Sequence, residues 1–164
     1  MRDFEKRLYA KLGPEGREAF RELFWAYRDP GSRLEFGARL RRVTAAFRKE
    51  NSLRPWTTDR GRIFLLNGSP VSVDYADDES WANPAAEGDV SRDDIAARRG
   101  ETWTYVFGPS PVVYSFLFLK PNEWRLVDRM SGNWDRAGLE ASSRDVTFGI
   151  TDLGAYKAAL AELK

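Results

Sequence analysis

The chain contains no cysteine and no histidine. Lack of cysteine excludes disulfides, thiolate nucleophiles, iron–sulfur clusters and zinc–thiolate sites. It says nothing about compartment, because a cysteine-free chain suits either redox environment. Lack of histidine is more restrictive. It removes Ser-His-Asp hydrolysis, His-ligated zinc, His-ligated haem and an imidazole pH switch. Carboxylates, Lys, Tyr, Ser/Thr or an oxygen-held metal are what remain for catalysis. An excess of either charge is also missing: 26 Lys+Arg face 25 Asp+Glu, a net charge of +1. So even a balance gives no whole-molecule field to gather nucleic acid or an anionic membrane. No apolar run approaches the length of a membrane span. The start, Met1-Arg2-Asp3-Phe4-Glu5-Lys6-Arg7, lacks the apolar core of a signal peptide. The expected setting is cytoplasmic as the chain stands, and periplasmic or cell-envelope if Met1 replaces a trimmed export signal. Walker loops, dinucleotide fingerprints, nucleophile elbows and internal repeats are absent.

What is present is an aromatic-rich composition: 42% hydrophobic, 13% aromatic, with six tryptophans and ten phenylalanines among 164 residues. A chain of this size points to one domain, 1–164, able to bury roughly 70% of its unfolded surface. The pattern divides it into a helical lead-in (1–50), a motif and sheet (54–130) and a C-terminal strand and helix (144–164).

In the lead-in, Phe4, Leu8 and Leu12 recur every four residues and predict a helix over 2–12. Pro14 suits the first position of a second helix, 14–28, with Phe20, Leu23, Phe24 and Tyr27 on one face. Arg28-Asp29-Pro30-Gly31 stops it, with Asp29 acting through turn chemistry. Ser32 and Glu35 have capping-box spacing, and Phe36, Leu40, Val43 and Phe47 give a third helix its apolar stripe. Ile63-Phe64-Leu65-Leu66 then reads as a buried strand within 62–67, being too short for a helix. Val71, Val73 and Tyr75 alternate and predict a strand with one buried face. Residues 76–90 read as a loop and 91–99 as a short helix. Trp103, Tyr105 and Phe107 alternate in the next strand; Val112 to Leu119 and Glu123 to Val127 follow. A strand over 146–150 and a helix capped by Thr151 or Asp152, striped by Leu153, Tyr156, Leu160 and Leu163, close the chain. Helices, then an antiparallel sheet, then a helix make the expected class α+β, with an N-terminal helical hairpin on a small sheet.

Between the helical and strand patterns lies Arg54-Pro55-Trp56-Thr57-Thr58-Asp59-Arg60-Gly61-Arg62, followed by the Asn67-Gly68-Ser69-Pro70 turn. Trp56, Thr58 and Asp59, continued by Arg60-Gly61-Arg62, resemble the GWxTD-motif domain of bacterial proteins. Phe24-Trp25, Arg28-Asp29-Pro30, Arg42 and Phe47 resemble that family's helical lead-in. Trp103-Thr104-Tyr105 resembles its Trp-x-Tyr strand, and Val113 to Leu119 with Trp124-Arg125-Leu126-Val127 its closing strands. The likeness covers about Leu12 to Val127. Pro55 departs from the family's glycine, and the 76–100 insert matches no part of its pattern. The resemblance implies a fold and an envelope setting, but no catalytic residue.

Each candidate site has two meanings. Trp56 is a stacking platform or, as large rings usually are, a core anchor joining helices to sheet; core is the expectation. Asp59 and Arg60 are an acid with its partner or, more commonly, the polar residues of a turn. Gly61, Gly68 and Pro70 read as turn residues. Asp74, Asp77, Asp78 and Glu79 fit no calcium-loop spacing and read as a solvated cluster, so no metal and no cofactor is expected. Arg39, Arg41, Arg42, Arg48 and Lys49 spread round the third helix rather than forming a phosphate-tracking stripe, which disfavours nucleic acid. The leading expectation is a non-catalytic domain that binds another protein or serves in an assembly. Trp56, Thr58, Asp59, Arg60, Gly61, Gly68, Pro70, Trp103 and Tyr105 would supply the motif, and Arg39, Arg42 and Trp124 would face the partner. The alternative is a small-molecule or glycan-binding or hydrolysing domain built from carboxylates and aromatics. It requires a concave pocket that gathers Asp or Glu with an exposed aromatic ring.

Overall fold

Acidic residues at the start favour a helix there, since carboxylates complement the positive end of the helix dipole. Asp3 and Glu5 open α1 (Asp3–Lys11), and the Glu5 carboxylate accepts the Arg2 amide hydrogen. Pro14 occupies the first turn of α2 (Pro14–Ala26), where its missing N–H costs nothing. Helix α3 spans Ser32–Ala46. The computed structural model describes residues 1–76, 99–120, 122–128, 134–141 and 149–163. It is α+β, with six α-helices and a four-stranded antiparallel sheet among those residues.

Contacts divide the chain into two compact units, residues 1–37 with 144–164, and residues 38–143. In the first, α1 and α2 close on the C-terminal helix α6 (Leu153–Ala161), burying Leu12, Phe20, Tyr156 and Leu160 together. The Asp152 carboxylate caps α6 by accepting the Ala155 N–H at 2.9 Å. Leu153, at the start of the expected stripe, stays 37% exposed. Beneath lies a fully buried ion pair: Glu5 Oε1 accepts from Arg28 Nη2 at 2.9 Å and from the Tyr156 hydroxyl at 2.8 Å. Burial by itself pushes Glu5 up, but the bonds from Arg28, the Arg2 amide and Tyr156 outweigh it and hold the carboxyl below its ordinary range. Of the 146–150 strand only its end is described, where Ile150 forms an isolated bridge with Arg28.

In the second unit the sheet runs in the order β1 (Ser72–Ala76), β2 (Gly100–Val106), β3 (Pro111–Lys120), β4 (Glu123–Val127). Register places Trp103 opposite Tyr114 and Phe116 opposite Leu126, so these side chains share one face. Phe47, just past the end of α3, packs 6.0 Å from Trp103, which lies 4.7 Å from Phe116 (ring centroids). Ile63 is fully buried and Phe64 meets Trp103 edge-on.

Ile63 and Phe64 do not belong to a strand. Residues Asp59–Asn67 form helix α4, entered through a 3-10 turn at Pro55–Thr57. Gly61, Ile63, Leu65 and Asn67 are buried, and Arg62, Phe64 and Leu66 half-buried. With nearly every side covered, α4 carries no 3.6-residue polarity signal, and its apolar run imitates a buried strand. A second correction concerns β1. Val71 and Tyr75 are 73% and 74% exposed, because β1 is at the edge of the sheet formed by the described strands. Val73 and Tyr75 stand opposite Trp103 and Glu101, on the expected face, without being buried there. Helix α5 (Arg136–Ala141) was not anticipated. The loop over 76–90 and the helix over 91–99, apart from Ala76 in β1 and Arg99 beside β2, lie outside the described residues.

Candidate functional site

The 55–61 stretch is a structural knot. The Thr58 hydroxyl donates to the Pro55 carbonyl at 2.9 Å and accepts the Gly61 N–H at 3.1 Å, capping α4. Asp59 Oδ2 accepts the Leu126 N–H at 2.9 Å, stapling the start of α4 to β4. Gly61 has no room for a side chain: a Cβ would sit 2.0 Å from the Pro55 oxygen. Trp56 is not the anchor expected of it. Pro55 is buried and Trp56 is 38% exposed, because the 3-10 turn points residue 55 inward and its neighbour outward.

Arg60 is the electrostatic centre of this unit. Its Nε and Nη2 donate to Glu50 Oε1 at 2.9 and 2.6 Å, and its Nη1 donates to Glu101 Oε1 at 2.7 Å. The other Glu101 oxygen takes the Trp103 indole N–H at 3.0 Å. Arg60 also lies over Trp124, 4.0 Å from the ring centroid, a cation–π contact of a partly desolvated guanidinium. One atom is left out. Glu50 Oε2 is buried and has no hydrogen-bond partner among the described residues. The neighbouring Thr58 hydroxyl, which donates to the Pro55 carbonyl, and the Arg60 guanidinium both favour the ionised carboxylate, but less than burial opposes it. Burial therefore dominates, and Glu50 is pushed above the ordinary carboxylate range despite Arg60.

The other motif residues also hold the fold. Gly68 ends α4 at φ +81°, and its carbonyl accepts the buried Tyr105 hydroxyl at 3.0 Å. Pro70 is half-buried in the turn that follows, and Trp103 is core. Of the residues expected to face a partner, Arg39 does not: it is buried beside Gly68 and donates to the Leu66 carbonyl at 2.7 Å. Its removal from the surface further breaks up the basic face of α3. Arg42 is exposed, with Ser69 Oγ at 3.4 Å. Asp74 is exposed on β1, and Asp77, Asp78 and Glu79 lie outside the described residues. Among the described residues no cluster of three or more Asp and Glu is placed to hold a metal, and no helix is long and apolar enough to cross a membrane.

Beside Glu50 runs a groove of about 680 Å³ within the second unit, lined by Lys49, Glu50, Thr58, Asp59, Asn122, Glu123, Trp124, Arg125 and Trp134. That volume is within the range of small-ligand sites. Trp134 is 51% exposed and Trp124 half-buried, so the groove offers aromatic surface as well as hydrogen-bonding groups. Three carboxylates face two cations, and Arg125 Nη2 already pairs with Glu123 at 3.0 Å. The lining can stack a ring, accept hydrogen bonds from a ligand and donate through Lys49. Sequence reasoning named Trp124, Thr58 and Asp59 but missed Glu50, Asn122, Glu123, Arg125 and Trp134 as site residues. They come from separate loops and a strand end, with no spacing that marks them. The chain matches no protein-family model, no curated protein and no solved structure.

Proposed function

We propose that this chain is a non-catalytic binding domain whose groove takes a small polar molecule or a glycan. One observation carries the proposal: Trp134 and Trp124 line a groove together with the acidic residues Asp59 and Glu123. A half-exposed indole offers a face for a sugar ring or other flat apolar surface, and carboxylates accept from hydroxyls. Binding is favoured over hydrolysis because Glu50 Oε1 is tied to Arg60 and Asp59 Oδ2 to the Leu126 amide. Those bonds make the acids parts of a rigid wall. GWxTD-type membership belongs to the same proposal and is supported by the order of the motif pieces along the chain.

The test is titration of the full chain with a panel of oligosaccharides, following the indole N–H resonances by NMR. Shifts at Trp134 that vanish in Trp134→Ala, with no cleavage of the sugar, are expected. An unmoved Trp134 across the panel would refute the proposal.

A protein partner is the second possibility, favoured by β1. Among the described strands it lies at the sheet edge, with Val71 and Tyr75 exposed, the arrangement a partner strand needs for pairing. The aromatic strands β2 and β3 lie inside the sheet and have no free edge among the described strands.

A further inference from the structure

We infer that the outer edge of β4 is a docking site for an extended peptide, which pairs antiparallel with the main chain of Trp124. The inference goes beyond the proposed function. It concerns the backbone side of the same groove and a second class of ligand, and it does not depend on sugar binding.

Along an antiparallel strand, residues alternate between turning their N–H and C=O toward the neighbouring strand and turning them away. Three bonds fix the phase of that alternation in β4. Leu126 donates its N–H to Asp59 Oδ2 at 2.9 Å, and its carbonyl accepts the Asp135 N–H at 3.0 Å, so both groups point away from β3. Phe118, opposite Trp124, gives its N–H to the Arg99 carbonyl at 2.8 Å, on the β2 side. Trp124, two residues before Leu126, therefore also turns its N–H and C=O away from β3. On that side β4 is the last of the described strands. The groove lies there. Glu123, Trp124 and Arg125 all line it, although successive side chains of a strand stand on opposite faces. A groove that touches all three runs along the edge of the strand rather than over one face.

The molecule itself shows what fits this edge. Its own Trp134 and Asp135 lie antiparallel beside Val127 and Leu126, through the Val127–Trp134 bridge and the Asp135–Leu126 bond. The chain then leaves the edge to enter α5 at Arg136. Trp124 is the next outward-turned residue, and its N–H and carbonyl have no hydrogen-bond partner among the described residues. The complement of an N–H and a C=O side by side on one extended residue is the same pair on another, which exchanges both bonds. A second stretch of peptide thus carries the ladder on where Trp134 and Asp135 stop. Its residue opposite Trp124 sets its side chain on the same face as the indole, where aromatic and β-branched cross-strand pairs are favourable. Glu123 and Arg125, on the other face, already pair with each other at 3.0 Å, so the flanking positions call for no particular charge.

The experiment is NMR on the full chain with a capped pentapeptide, four threonines around a central valine, and with a copy of it N-methylated on every residue. At millimolar peptide the Trp124 backbone amide is expected to shift saturably and its hydrogen exchange to slow. The N-methylated copy keeps the side chains but has no main-chain N–H to give, and should bind at least about tenfold more weakly, as for a lost hydrogen bond. An unmoved Trp124 amide overturns the inference. Equal binding of the N-methylated copy also overturns it, since the contact would then run through side chains. So do shifts confined to Tyr75, which would put the peptide on β1 instead. The sugar panel is read separately. A sugar that moves Trp134 while the peptide leaves Trp124 unmoved sinks this inference alone. A peptide that moves Trp124 while no sugar moves Trp134 upholds it and sinks the sugar reading.

Discussion

Replacing Gly61 by alanine tests the role of the 55–61 knot. In an ordinary helix the change is favourable by about 1 kcal/mol, because alanine loses less backbone freedom. Here the new Cβ would stand 2.0 Å from the Pro55 oxygen and 2.8 Å from Thr58 Oγ1, where ordinary contact begins near 3.4 Å. Neither neighbour is the far end of a flexible side chain. The 3-10 turn must move away, which strains the Thr58 cap, a bond worth about 1 kcal/mol. Overpacking adds roughly 1–3 kcal/mol. The net expectation is a destabilisation of about 1–3 kcal/mol, or about 1 M off the urea midpoint for a slope of 1–3 kcal/mol/M. Intrinsic fluorescence, to which the buried Trp103 contributes, can follow the transition. Gly108→Ala is the matched control, since a Cβ there meets nothing within 4 Å, and its effect should stay within about 0.5 kcal/mol. A Gly61→Ala midpoint equal to or above that of the wild type would show that the turn does not press on α4, and the account of the motif would be abandoned.

Asp59→Ala should cost about 1–3 kcal/mol and raise hydrogen exchange at Leu126, whose amide loses its acceptor; unchanged exchange would count against the staple. Gly68→Ala, at φ +81° and 3.1 Å from the Arg39 guanidinium, should lose about 1–3 kcal/mol in chemical denaturation, and a neutral result would refute the strain argument. Arg28→Ala strands the Glu5 charge and should cost about 3–5 kcal/mol at neutral pH. The pH dependence gives a second readout. Since the folded state holds Glu5 below its ordinary range, its contribution is present above the unfolded value near pH 4.5 and is lost as pH falls through the folded value. Without Arg28 and its hydrogen bond, burial dominates and the sign reverses, so urea midpoints of the variant should lose less on acidification than those of the wild type. Equal slopes would show that Arg28 is not what holds Glu5 down.

The elements legible in the sequence are those with one wet and one dry side. Phe20, Leu23, Phe24 and Tyr27 fall on one face of α2 because the opposite face is exposed. Trp103 and Tyr105 alternate with Thr102 and Thr104 because β2 has two differing faces. Helix α4 has no such contrast, and β1 has the right alternation at the wrong place in the sheet. Trp56 illustrates a further limit: the size of a ring favours burial, but the way the 3-10 turn is docked puts Pro55 inside instead. The α+β class, the stopping points at Pro14 and Gly31, and the cap at Thr151 or Asp152 follow from local propensities, whereas the Thr58 cap was hidden with the helix it starts. The loss of thiolate and imidazole chemistry follows from composition alone. What tertiary structure decided is everything that requires residues distant in sequence to meet. Glu5 finds Arg28 and Tyr156, Arg60 finds Glu50 and Glu101, and Glu50 is left with one oxygen unpaired beside a groove that Trp134 borders. Periodicity records only which side of a segment is dry. Which charge is buried opposite which depends on how whole elements cross, and no local pattern encodes that.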